Sequence, residues 1–147
     1  MTPEERPQTA AETAKLRLKR YLPLKLEVQH LRERINALYG LHIPNSDGMP
    51  HASGVSDPTG NTAVLIVERR KRYESREQEF AEYEAAIERD MEILSPTERD
   101  LIRYKYMDGL TWEEVCIAIR YSWAQTHRIH SAALIKLGEI EKAKAKE

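Results

Sequence analysis

The sequence predicts an all-α protein: a long N-terminal helical hairpin followed by a C-terminal domain of three short helices. Three observations carry that expectation. Charged residues make up 32% of the 147-residue chain and aromatics 7%, with one Phe and six Gly, a profile that favours helices over a β-sandwich or barrel. Ile66, Tyr73, Phe80, Ile87 and Leu94 recur every seven residues, which is the repeat of a helix with one apolar seam. Helix-start signals of the form Ser/Thr-x-x-Glu/Gln begin at Ser95, Thr111 and Ser122, each able to satisfy the free amides of a first helical turn.

The opening "MTPEERPQTA" is polar and proline-containing and reads as a disordered leader. Tyr21, Leu24, Val28, Leu31, Ile35 and Leu38 then alternate in steps of three and four, predicting a helix over about residues 10–39 that Gly40 ends. Pro23 interrupts it, so the helix either kinks there or starts anew with Pro23 in its first turn. Residues 41–57 are dense in Gly, Pro, Ser and Asp and form a loop. Asp57-Pro58 reads as an N-cap followed by a first-turn proline, opening a second helix over 58–94. Two amphipathic helices joined by a loop make an antiparallel hairpin most simply. Pairing the same stripes between two copies, as a homodimer, competes with it. Residues 1–94 thus form one region and residues 95–147 a second domain.

In that second domain Leu101, Ile102 and Tyr106 supply an inner face, and Asp108-Gly109 closes the first short helix. Trp112, Val115, Cys116 and Ile119 make one apolar face of the next. Arg120-Tyr121 is too short a connection for helices lying side by side, so the last two helices cross steeply as a helix-turn-helix, here without the glycine that many such turns carry. The inner positions of the last helix are Thr126, Ile129, Ala133, Leu134 and Leu137. That leaves Trp123, Ala124, Gln125, His127, Arg128, His130 and Ser131 facing outward, where a helix of this kind meets the major groove of double-stranded DNA. Gln pairs with adenine and Arg with guanine, while His and Ser bond bases or phosphates. Arg120 and Lys136 are placed for phosphate, and the helix starts at Thr111 and Ser122 present amides to it.

The formal net charge of -1 conceals a tail beyond Ile119 that carries six Lys and Arg against three Glu, so local rather than overall charge decides the partner. One cysteine, Cys116, rules out an internal disulfide framework. No apolar run is long enough to span a bilayer, so no membrane partner is expected and the reading is a soluble, cytoplasmic protein. Cys116, His127 and His130 fall short of the four ligands of a closed zinc site, and Cys116 belongs to an apolar face. With no nucleophile-and-base set or redox pair, no cofactor, no metal and no enzyme activity are expected.

The stretch "LSPTERDLIRYKYMDGLTWEEVCIAI" resembles region 4 of sigma-70-type factors, and "YS" followed by "RIHSAALIKL" is similar to short phage and prophage proteins, the region-4-like late regulators of the RinA and ArpU kind. With a loop similar to "GMPHASGVSDPTGN", the resemblance covers most of the chain after residue 10. It implies binding to promoter DNA together with RNA polymerase, to switch on phage genes. Trp123 and Ala124 depart from the basic or small polar residues common in relatives, and sigma region 2 has no counterpart. The competing functions are a protein-binding adaptor of RNA polymerase or a sigma factor that does not touch DNA, and a small terminase-type packaging subunit.

Overall fold

The computed structural model describes residues 8–42 and 58–147. Among them all regular structure is helical: α1 (Ala10–Lys19), α2 (Tyr21–His42), α3 (Pro58–Asp90), α4 (Pro96–Ile102), α5 (Trp112–Ile119) and α6 (Trp123–Ala145). A 3-10 turn over Met91–Ile93 follows α3 and a π-helical turn over Arg103–Met107 follows α4. The expected leader up to residue 7, Asp57 and the loop from residue 43 onward lie outside the described residues.

The first expected helix is two. Thr9 caps α1 by accepting from the Glu12 amide at 3.2 Å, while the Glu12 carboxylate accepts from the Thr9 amide at 2.8 Å, a complete capping box that the sequence reading passed over. The break falls at Arg20, and Pro23 is the third residue of α2. There its missing N–H is one of the amides that has no intrahelical partner anyway. Gly40 does not end this helix, which runs on to His42. α3 starts at Pro58 as expected and stops at Asp90, four residues early, because the 3-10 turn intervenes before the Ser95 cap.

The chain divides into two compact units. The first comprises, of the described residues, 8–24 and 82–147; the second comprises 25–42 and 58–81. This differs from the division at residue 95 that the sequence suggests, and the reason is α1. It packs along α6, where Gly138 removes the obstacle: a Cβ there would stand 2.7 Å from the Ala10 carbonyl carbon and 2.9 Å from the Ala11 nitrogen. Arg17 then bridges two elements, ion-pairing with Asp90 at 2.5 Å and with Glu141, and Lys144 reaches the same Asp90 oxygen at 2.7 Å. Burial alone would raise the Asp90 carboxyl, but hydrogen bonds from Lys144 and Arg17 more than offset it and hold the group below its ordinary range.

Ile87, Met91, Leu101, Ile102, Val115 and Thr126 are enclosed at the centre of this unit. The Ser95 box is complete, with both bonds at 3.3 Å, and the buried Glu98 carboxylate also takes Lys136 at 2.6 Å. The bond from the Asp108 amide to the Arg103 carbonyl, 2.9 Å, is the wide i to i+5 closure of a π turn. That extra residue turns Met107 inward beside Tyr106, and both are buried. In the second unit Leu31 and Ile35 are buried, and Arg76 of α3 pairs with Glu27 of α2 at 3.3 Å. No helix among the described residues is long and apolar enough to cross a membrane.

Candidate nucleic-acid interface

Two residues separate α5 from α6, and the backbone solves the missing glycine in an unusual way. Arg120 adopts the left-handed conformation, φ 61° and ψ 42°, a region glycine enters freely and a side chain enters at a cost of about 1 kcal/mol. From there the Tyr121 amide bonds back to the Cys116 carbonyl at 3.2 Å. The chain thus turns within two residues and leaves Arg120 and Tyr121 exposed. Val115 of α5 and Thr126 of α6 are both fully buried; small side chains of this kind let two helices approach closely.

Ser122 caps α6 by accepting from the Gln125 amide at 3.3 Å. The reciprocal half of the expected box is not formed, so the Gln125 side chain is exposed rather than folded back on the cap. Ala124, Arg128, Ser131 and Ile135 follow one another at spacings of four, three and four and are exposed, as is Ala132. They form an outer ridge in which small residues flank one arginine. Trp123 stands to one side of it, 53% exposed.

The structure moves two of the expected outward residues inward. His130 is 6% exposed, because the buried stripe of α6 runs Thr126, His130, Ala133, Leu134, Leu137. Its Nε2 is hydrogen-bonded to the Tyr106 hydroxyl at 2.7 Å. Burial, with Lys15, His127 and Lys105 nearby, pulls its pKa down to about 4, and burial pushes the Tyr106 hydroxyl up to about 12. A neutral, enclosed imidazole cannot read a base. Ile129, expected inside, is only half-buried, having given up its place to His130. His127 is also half-buried: its ring lies 4.4 Å from that of Trp112 and 4.6 Å from that of Trp123, and its Nε2 is enclosed without a hydrogen-bond partner.

Two phosphate positions are altered as well. Thr111 accepts from the Glu114 amide at 3.3 Å and its hydroxyl donates to the Glu114 carboxylate at 3.0 Å. With Glu113 and Glu114 in the first turn, this helix start repels an anion instead of inviting one. Lys136 is exposed but tied to Glu98. Ser122, Trp123, Ala124, Gln125, Arg128 and Ser131 share the exposed start of α6 with Arg120 beside them. Among the described residues no group of three or more His, Cys, Asp or Glu is placed to hold a metal ion.

The site also has an apolar component that sequence reasoning missed. Ile117 is 77% exposed on α5, and Tyr121 and Trp123 are exposed nearby in the chain. The signal was present in the sequence: Ile117 lies off the 112, 115, 116, 119 stripe. No family model, curated protein or solved structure matches this chain.

Proposed function

We propose that the chain is a sequence-specific DNA-binding transcriptional regulator of phage or prophage genes. In this reading α5, the Arg120-Tyr121 turn and α6 act as a helix-turn-helix, and α2 with α3 makes an antiparallel hairpin. The observation that carries it is the outer ridge of α6: Gln125 and Arg128 are exposed among Ala124, Ser131 and Ala132, whose small size lets the helix backbone settle into a major groove. Arg120 supplies a charge at the turn, where a phosphate strand passes in such docking. The resemblance of residues 94–137 to sigma region 4 supports the same reading and supplies the phage setting, a cytoplasmic location and RNA polymerase as second partner. Thr111, His127 and His130 are not among the groups proposed to touch DNA, and Lys136 contributes only if it leaves Glu98.

Duplexes selected from a random pool with the full chain, followed by binding across a salt series, test this. Arg128→Ala and Gln125→Ala are each expected to cost about 1–3 kcal/mol and to relax preference at one base pair. Arg120→Ala is expected to weaken all sequences alike and to lower the salt slope by about one. Failure to select any duplex sinks the proposal.

The exposed Ile117 favours one competing reading, the adaptor that binds polymerase or a sigma factor without DNA. Exposed apolar side chains that gather into a patch mark protein contacts, and Tyr121 and Trp123 are exposed close to Ile117 in the chain. Polymerase capture lost in Ile117→Ser, with no DNA binding at any salt, is its signature.

A further inference from the structure

A line of rings connects the middle of the first unit to its surface. Tyr106 and His130 are buried and hydrogen-bonded to each other at 2.7 Å. The His130 ring meets Trp112 edge-on at 4.7 Å, Trp112 lies 4.4 Å from His127, and His127 lies 4.6 Å from Trp123. Lys105 sits over the Trp112 ring at 4.8 Å and donates to the Leu110 carbonyl at 3.3 Å. At the far end Trp123 is 53% exposed.

An exposed tryptophan at a helix start ordinarily samples several rotamers, and ordering it on binding is unfavourable. Here the wedge between two indoles is a histidine whose Nε2 is enclosed without a partner. Leaving a ring nitrogen unsatisfied is unfavourable, and the tilted ring contacts with Trp112 and Trp123, at interplanar angles of 43° and 49°, help to offset it. We infer that His127 is a positioning residue: it holds the Trp123 indole in one orientation beside the outer ridge of α6, as a preset apolar face for a thymine methyl group in the major groove. The inference rests on the DNA-binding reading for its ligand, and on the free protein alone for its geometry.

Because the chain has only two tryptophans, Trp112→Phe leaves Trp123 as the single indole and keeps a ring against His127. In that background the nanosecond anisotropy decay of Trp123 is expected to show little fast wobble. His127→Leu, which keeps volume and loses the flat ring, is expected to enlarge the fast phase, and His127→Phe to restore it. Wobble unchanged by His127→Leu overturns the positioning role whether or not DNA binds.

On selected duplexes, Trp123→Ala and His127→Leu are expected to lose roughly tenfold in affinity while His127→Phe stays within about twofold. Equal loss in His127→Phe and His127→Leu means that the imidazole itself reads DNA, and overturns the inference. Replacing thymines one at a time by deoxyuracil is expected to weaken the parent protein at one position and to have no further effect there in Trp123→Ala. Absence of such a position removes the thymine-methyl assignment. If no duplex is selected, the DNA reading fails, and the anisotropy arm still decides what His127 does.

Discussion

Residues 8–24 with 82–147 and residues 25–42 with 58–81 are both built from charge-rich helices, yet they use their apolar side chains differently. In the first unit Met91, Leu101, Ile102 and Val115 are completely enclosed, and of the polar groups that enter with them Asp90, Glu98 and His130 have partners, while the Thr126 hydroxyl and the second Glu98 oxygen are enclosed without one. In the second unit Leu31 and Ile35 are the best-buried apolar residues, while Leu26, Val64, Leu65 and Val67 remain exposed. Two helices offer each other one stripe apiece; several helices converging on one centre can close off a side chain from every direction. The first unit therefore carries the stability that holds α6 in place, and the second carries little of its own. Hydrogen exchange is expected to be faster over 25–42 and 61–81 than over 96–102 and 126–138, since local opening follows buried apolar contact.

The largest expected effect comes from emptying the better-packed centre. Leu101 has no exposed surface, so Leu101→Ala should cost about 2–5 kcal/mol. Both tryptophans lie in this unit, and their emission reports its unfolding directly. A loss under 1 kcal/mol would show that the comparison of the two units is drawn wrongly.

Next comes the contact that the sequence did not disclose. Gly138→Ala would normally favour a helix by about 1 kcal/mol. Here the new methyl meets backbone atoms of Ala10 and Ala11 at under 3 Å, and backbone cannot swing aside as a side chain can. The expected outcome is a net destabilisation of about 1–3 kcal/mol, with faster exchange confined to residues 10–19. A stabilised protein would mean that α1 does not sit on α6.

Such results would also measure how far the residues alone could go. The heptad line from Ile66 to Leu94, the caps at Ser95, Thr111 and Ser122, and the apolar face of α5 are local patterns, and the helices they predicted are present. What stayed hidden depends on partners distant in the chain. Gly138 reads as a mild flaw in a helix until Ala10 is brought against it. His130 lies on the correct helical step for burial, at Thr126 plus four and Leu134 minus four, but residue type argued for the surface. Only the Tyr106 hydroxyl, 24 positions earlier, makes its enclosure affordable. For the candidate interface, Gln125 and Arg128 were legible as outward, whereas the tilted ring contacts of His127 were not, because they need both indoles in place.

Acid should separate the units more gently. Folded His130 has its pKa pulled down to about 4, so between pH 6.5, the usual histidine value, and pH 4 the unfolded chain takes up a proton that the folded one refuses. Stability is present above that window and is lost as pH falls through it. Asp90 and Glu98, held below the ordinary carboxylate range by Lys144, Arg17 and Lys136 against the opposing effect of burial, add a further loss at lower pH. The urea midpoint followed by tryptophan emission should decline from pH 6.5 to 4, and His130→Gln should flatten that part of the curve.

The smallest effect is expected in the second unit, at the ion pair between Arg76 and Glu27. Their side chains are 38% and 40% exposed at a separation of 3.3 Å, and Arg76 also holds Glu79 at 2.9 Å. Water screens both charges, and ordering two long side chains offsets most of the attraction, so exposed pairs contribute about 0–1 kcal/mol. Arg76→Gln keeps part of the aliphatic stem and removes the charge together with the guanidinium's bonds to Glu27 and Glu79. Exchange rates over 25–42 and 61–81 should change by less than about threefold, within the range that such pairs allow. A much larger acceleration would show that this unit is held by charge where apolar burial is scarce, which would reverse the assignment of what stabilises it.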